Sequence, residues 1–225
     1  MSTEERTTSA LIINSNFVVP PDGVIVTNFV FDNEPQFKSR VRTKPLQHFV
    51  LHETAGRTAV GCKTSLLRKG YGVHLILARD GGVSCHGDLA NDVMVHANQL
   101  NDTSVGIEVV NPYAPKIAGK MNVQTLPAQW WTWCPDREDR RYVLPSQAQL
   151  KTLSILVPWL CDKLGIPYEF PTGHFSKKLR KIKGWRKAPL GWRAKPAPGV
   201  VVHQDFASHA DGRFLLGYLM QNTAN

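Results

Sequence analysis

The chain has 225 residues, of which 42% are hydrophobic and 20% are charged, and its formal net charge is +9. A chain of this length and composition can bury the core of one compact globular domain. It contains no apolar run near the ~20 residues that a transmembrane helix needs. Residues 1–6 lack the basic start and apolar run of a secretory signal, so synthesis in the cytoplasm is expected.

The predicted elements of the N-terminal half are short strands around one helix. Residues 1–45 hold β-prone runs separated by Pro and Asn/Asp turns, and we interpret them as an N-terminal extension on a domain that spans residues 46–225. The patterns then predict a strand over 47–52, a helix over 58–69 ending at Gly70, a strand over 72–79 with a hairpin turn at Asp80-Gly81-Gly82, and a strand over 103–110.

The C-terminal half is predicted to hold two helices and a final strand. Ser146 to Gln149 form a capping box, after which apolar residues keep helical spacing as far as Gly165. Pro158 is expected to kink or open this helix. A strand over 199–203 and a helix over 213–220 follow. Because strands and helices alternate, the predicted fold class is α/β with a central mixed β-sheet flanked by helices.

The positive charge is concentrated in one segment, which we call the basic arm (residues 174–195). Nine of the 27 basic residues lie there without an acidic one, and the remaining basic residues equal the 18 acidic ones in number. The arm also carries Trp185 and Trp192. It is either a solvated insertion whose tryptophans cover the core or a docking element for an anionic surface such as a cell-wall polymer.

The strongest chemical signal is a set of metal-binding side chains at the ends of apolar runs. His52 ends the first run, Glu108 lies in the second, His203 ends the last, and Asp211 follows across a loop able to fold back. Two imidazoles and a carboxylate make a zinc site that leaves room for water, and a nearby glutamate can take the proton of that water. The HExxH helix of the zincins is absent, so spacing alone supports this site only weakly.

Several motifs in order resemble one enzyme family. They are His52-Glu53-Thr54-Ala55-Gly56, residues 73–81, Val95-His96-Ala97, residues 101–108, and residues 203–212. This order is similar to that of the zinc-dependent N-acetylmuramoyl-L-alanine amidases, the family that includes peptidoglycan recognition proteins, phage lysins and bacterial recycling amidases. The resemblance runs roughly from residue 47 to residue 219.

The resemblance implies a role for each residue of the predicted site. His52, His203 and Asp211 would bind zinc, and Glu108 would be the general base that passes a proton to the leaving amine. His209 stands where the family often has an oxyanion-stabilising lysine. His96, Asn98 and Trp131 would contact substrate, although the Trp131 ring could instead be a buried plug.

The implied function is hydrolysis of the amide between N-acetylmuramic acid and L-alanine in peptidoglycan or soluble muropeptides, with action on the cell wall following release from the cell. Two alternatives from other classes are a peptidoglycan-binding module without catalysis and a polyanion-binding protein. A nucleic-acid partner is disfavoured, because the basic arm would explain the charge but not the predicted metal site.

Overall fold

The computed structural model describes residues 10–28, 35–127, 141–172, 195–206 and 211–223. In these ranges the strands are β1 (Leu11–Ile13), β2 (Asn16–Val18), β3 (Val26–Asn28), β4 (Arg40–Val41), β5 (His48–Thr54), β6 (Leu75–Leu77), β7 (Val83–Cys85), β8 (Asp92–Val93), β9 (Ser104–Val110), β10 (Thr125–Pro127), β11 (Arg141–Val143) and β12 (Gly199–Val202). The helices are α1 (Ala59–Lys69), α2 (Pro115–Ala118), α3 (Gln147–Leu164) and α4 (Arg213–Asn222).

A six-stranded mixed sheet forms the centre of the molecule. Its strand order is β12, β5, β9, β6, β7, β3. The first four strands are parallel, β7 runs antiparallel to β6, and β3 is parallel to β7. The predicted α/β class with a central mixed sheet is therefore confirmed.

The two faces of strand β5 belong to different parts of the core. Phe49 and Leu51 pack in the main core, which includes residues of α3 and α4, whereas Val50 packs in a smaller cluster with Leu100 and Phe206. Successive side chains of a strand point to opposite faces, so His52 follows the face of Val50. Because both faces are covered, the strand is an almost unbroken buried run.

The two long helices begin and end as the sequence predicts. The Thr58 side chain caps α1, and Gly70 ends it in the left-handed conformation at φ 70°. The capping box of Ser146 and Gln149 opens α3. Pro158 lies inside α3, and the helix continues without interruption to Leu164. The proline lies on the partly exposed side of the helix.

Four strands differ from their predicted extent. β5 begins at His48 and continues two residues beyond His52, to Thr54, and β9 begins one residue later than predicted, at Ser104. The strand expected over 72–79 is limited to Leu75–Leu77, because its ladder with β7 covers only these residues. The last strand ends at Val202, and His203 begins a short 3₁₀ turn instead.

The described part of the N-terminal segment packs closely on the sheet. β1 and β2 form a hairpin whose turn is held by Asp88, since the Asp88 carboxylate accepts the N–H groups of Asn14 and Ser15 at 3.1 and 2.6 Å. β3 then adds the edge strand beside β7. The domain boundary at residue 45 and the basic arm as an insertion stay predictions.

Three cysteines lie in the described ranges, and all of them are buried free thiols: Cys62, Cys85 and Cys161. No helix in the part of the chain that the structure describes is long and apolar enough to cross a bilayer.

Candidate active site

Three neighbouring parallel strands bring the predicted site together. His52 of β5 is the register partner of Glu108 in β9, and His203 follows directly after β12. Parallel strands end at the same edge of a sheet, so residues far apart in sequence meet there. The sequence suggests that these residues lie close together. The strand order β12, β5, β9 is what brings them to neighbouring positions.

Asp211 reaches the same edge through a fixed backbone. Gly212 has a φ of 77°, and a Cβ atom at this position would lie 2.6 Å from the carbonyl oxygen of Leu51. Only glycine accepts both conditions easily. The buried ion pair of Arg213 with Asp205, 2.8 Å long, joins the start of α4 to the turn that follows His203. Both ends of the segment that carries Asp211 are therefore anchored.

His52, His203 and Asp211 form a set of ligand atoms that suits a metal ion. The Asp211 Oδ2 atom lies 2.6 Å from His203 Nδ1 and 3.5 Å from His52 Nδ1. All three ligand atoms lie within 4.8 Å of one another. Two imidazole nitrogens and one carboxylate oxygen are a donor set that zinc accepts, and they leave a position for substrate or water. The residues present therefore fit zinc.

The metal-ligand set lies in the wall of a cavity of about 360 Å³. The cavity is also lined by Lys69, Tyr71, His96, Asn98 and Glu108. A second cavity of about 350 Å³ shares Leu66, Lys69, Glu108 and Asp211 with the first. Glu108 and Asp211 thus stand where the two cavities meet, and an extended substrate could pass on both sides of them.

Glu108 holds its proton more tightly than an ordinary glutamate. Burial is the main cause that raises the pKa of Glu108 well above its usual value, and the negative charge of Asp211 raises it further. Lys69 opposes this shift, and Glu53 adds to it.

His96 contacts a predicted ligand as well as the cavity. Its Nδ1 atom lies 3.1 Å from Nε2 of His52, and its Nε2 atom lies 3.2 Å from the hydroxyl of Ser104. Burial and the neighbouring imidazoles of His52, His74 and His203 lower the pKa of His96 well below its usual value, so the ring is neutral.

His74 is fully buried beneath this cluster. The backbone N–H of Gly106 donates to its Nδ1 atom at 3.2 Å, and its Nε2 atom lies 3.0 Å from the carbonyl oxygen of Asp92. Burial lowers the pKa of His74 to about 4. The imidazole is therefore a neutral structural group that joins strand β9 to strand β8.

Glu53, for which the sequence predicts no role, forms a buried polar cluster behind the metal-ligand set. Its Oε1 atom accepts the Asn111 amide at 2.6 Å and the hydroxyl of Tyr142, while its backbone N–H donates to Asp211 Oδ1 at 2.6 Å. Burial raises the pKa of Glu53 to about 7 despite these two donors. In the sequence, the only sign of a role for Glu53 is a carboxylate in a largely apolar strand. Its partners Asn111 and Tyr142 are distant in sequence, so the motif does not reveal them.

Trp131 and His209 lie outside the described residues, as does most of the basic arm. Lys69 and Tyr71, by contrast, line the cavity without having been predicted. Their position follows from the end of α1 at Gly70, which lies at the rim of the site.

Comparison with known proteins decides the family. Residues 42–211 match the family model described as N-acetylmuramoyl-L-alanine amidase. The chain belongs to this family. Membership confirms the family predicted from the ordered motifs and the class of reaction, which is hydrolysis of the bond between N-acetylmuramic acid and L-alanine.

Solved structures similar to this amidase include two enzymes and one recognition protein. The endolysin LysCS from Clostridium intestinale has 14% sequence identity and a TM-score of 0.47, with 80% of this chain and 82% of that chain covered. Drosophila PGRP-LB has 13% identity and a TM-score of 0.47, with coverages of 90% and 94%. AmiD from E. coli, in complex with an anhydro-muropeptide substrate, has 16% identity and a TM-score of 0.41, with coverages of 57% and 49%. No curated protein sequence matches the chain.

Proposed function

We propose that this amidase is zinc-dependent, with His52, His203 and Asp211 as the metal ligands and Glu108 as the general base. The observation that carries the proposal is the convergence of the three ligand atoms within 4.8 Å in the wall of a cavity that Glu108 also lines. When bound, zinc would supply Lewis acidity, which polarises a carbonyl group and acidifies a water molecule.

The protein residues would divide the remaining work among themselves. Glu108 takes the proton of the attacking water and delivers it to the amine of L-alanine as the amide bond breaks. Glu108 lines the same cavity as the three proposed ligands, so its carboxylate lies within the site where both steps would occur. Asp211 is held by the N–H of Glu53, which keeps this carboxylate oriented before the metal binds.

The substrate would be a muramyl peptide that occupies both cavities. The two cavities meet at Glu108 and Asp211, so a sugar on one side and a stem peptide on the other would place the scissile amide between them. Asn98 lines the first cavity, which supports its predicted contact with substrate. The substrate role of Trp131 and the oxyanion role of His209 stay predictions.

A non-catalytic peptidoglycan-binding module is the competing function, and it would lack a metal ligand or the general base. All four side chains are present and face one site here.

We also propose that the basic arm binds an anionic cell-wall polymer. The proposal is supported by its nine basic residues, which are accompanied by no acidic one. Cytoplasmic synthesis stays a prediction.

Metal reconstitution tests the zinc proposal directly. The purified chain is stripped with a chelator, titrated with zinc, and assayed at each step for release of L-alanine N-termini from a purified muropeptide. We expect one zinc per chain and activity that rises in proportion to it. Full activity in the stripped protein would contradict the proposed zinc dependence.

A further inference from the structure

The orientation of each proton between Leu100 and His96 can be assigned from donors and acceptors alone. The Ser104 hydroxyl lies 2.7 Å from the Leu100 carbonyl oxygen, which can only accept a hydrogen bond. The single hydroxyl proton is therefore used there. The Ser104 oxygen must then accept from His96 Nε2 at 3.2 Å, so a proton sits on Nε2 of His96.

The chain of hydrogen bonds extends from His96 to His52. With its proton on Nε2, the His96 ring has Nδ1 as an acceptor, and the atom 3.1 Å away is Nε2 of His52. His52 therefore donates through Nε2 and carries an unprotonated Nδ1. That nitrogen is the one 3.5 Å from Asp211 Oδ2. An unprotonated imidazole nitrogen beside a carboxylate oxygen is an arrangement in which both atoms can bind the same cation.

The His96 ring has little room to adopt another arrangement. The Asn101 side-chain oxygen accepts the backbone N–H groups of His96 and Ala97 at 3.0 and 2.6 Å. The ring packs directly over Gly106, where an added Cβ atom would lie 2.5 Å from His96 Nδ1. The His74 ring closes a further side, with the two ring centroids 5.5 Å apart.

We propose that His96 and Ser104 are positioning residues that fix the tautomer of His52, so that Nδ1 of His52 is presented to the metal. The inference rests on the proposed zinc dependence and deepens it. It differs from the substrate contact predicted for His96, because a contact with substrate alone would leave zinc affinity unchanged. Fixing the tautomer of a ligand histidine through its second nitrogen typically alters metal affinity.

Four variants distinguish the two roles. Ser104→Ala removes the acceptor of His96, and His96→Leu removes the acceptor of His52. His96→Asn is the conservative variant. The side-chain oxygen of asparagine is bonded to Cγ, as Nδ1 of histidine is, and it can accept a hydrogen bond from His52 Nε2. Ser84→Ala is the matched control: the Ser84 hydroxyl also lies near an imidazole, at 2.8 Å from His86 Nε2, but away from the site.

Zinc affinity is measured for the full chain by competition with a fluorescent chelator, and folding is monitored by circular dichroism. We expect Ser104→Ala and His96→Leu to bind zinc about 10- to 100-fold more weakly than wild type. His96→Asn and Ser84→Ala should remain close to wild type. If His96→Leu does not fold, the comparison of Ser104→Ala with His96→Asn still decides the question.

The possible failures are separable. If wild type binds zinc and all four variants bind it equally tightly, the tautomer role is wrong while the zinc proposal stands. A rise in KM for both His96 variants would then assign His96 to substrate. If wild type takes up no zinc, the proposed zinc dependence and this inference fail together.

Discussion

Glu108 and His52 occupy paired positions on neighbouring parallel strands, so both side chains point to the same face of the sheet. This pairing brings the carboxyl group of the proposed general base beside a proposed metal ligand. Glu53, one residue along β5, points to the opposite face and bonds to Asn111 and Tyr142. His52 and Glu53 are thus adjacent in β5 but contact the site from opposite faces of the sheet.

Replacing Glu108 by Gln should abolish most turnover and leave zinc binding unchanged. Glutamine keeps the shape of the side chain but cannot accept the proton, and loss of a general base typically costs about 100- to 10,000-fold in rate. Steady-state hydrolysis of a muropeptide and zinc content by elemental analysis measure the two effects. Turnover near that of wild type would mean that the base is another residue.

Replacing His203 by Ala should remove zinc while the fold largely persists. His203 lies after the end of β12, and the buried residues of that strand form the core without it. Elemental analysis and thermal unfolding of the zinc-free proteins provide the measurements. A fully zinc-loaded His203→Ala variant would contradict the assignment of the ligands.

At the scale of elements, the sequence predicts local features well. Thr58, Gly70, Ser146 and Gly165 bound the helices at the expected positions because caps depend on neighbouring residues. The short extent of β6 could not be predicted in this way, since it is set by the length of its partner β7.

The same distinction applies within the site. His52 and His203 are visible as parts of motifs, whereas the bond of Glu53 to Tyr142 joins residues that only the fold brings together. The hydrogen bonds that link Ser104 through His96 to His52 are likewise visible only in the folded structure, because motifs do not reveal which ring nitrogen carries a proton.

Strand β7 leads into a buried histidine that should make stability depend on pH. Burial, with a smaller contribution from Lys63, lowers the pKa of His86 from 6.5 to about 3. Between these values the unfolded chain binds a proton that the folded chain does not, so stability falls as pH falls.

Replacing His86 by Leu should remove this dependence. Between pH 7 and pH 5, wild type should lose about 2 kcal/mol more unfolding free energy than the variant does. Urea unfolding of both proteins at each pH provides the comparison. Equal losses in the two proteins would show that His86 does not carry this effect.

At the scale of the whole molecule, the net charge of +9 resides in the basic arm, while the remainder of the chain is formally neutral. Charge of one sign attracts a polyanion over a range of about 8 Å at physiological salt. The proposed chemistry at Glu108 depends instead on groups buried around the sheet edge. Binding to a large substrate and catalysis on a small one should therefore be separable.

Neutralising the lysines and arginines between Lys177 and Lys195 should weaken adsorption to whole cell wall and reduce its salt dependence. Raising the salt concentration should have the same effect on wild type, because it screens exposed charges. Hydrolysis of a small soluble muramyl peptide serves as the control and should hardly change. An equally severe loss on the small substrate would place the arm in the substrate cleft.

We conclude that this chain cleaves the bond between N-acetylmuramic acid and L-alanine, and we propose that zinc is required for this cleavage. Mass spectrometry of the products from a purified muropeptide, incubated with the zinc-loaded chain, tests it most directly. The account predicts a free stem peptide that begins with L-alanine and a sugar product without peptide, both absent after removal of zinc. Cleavage inside the peptide or between sugars, with the lactyl amide intact, would contradict it.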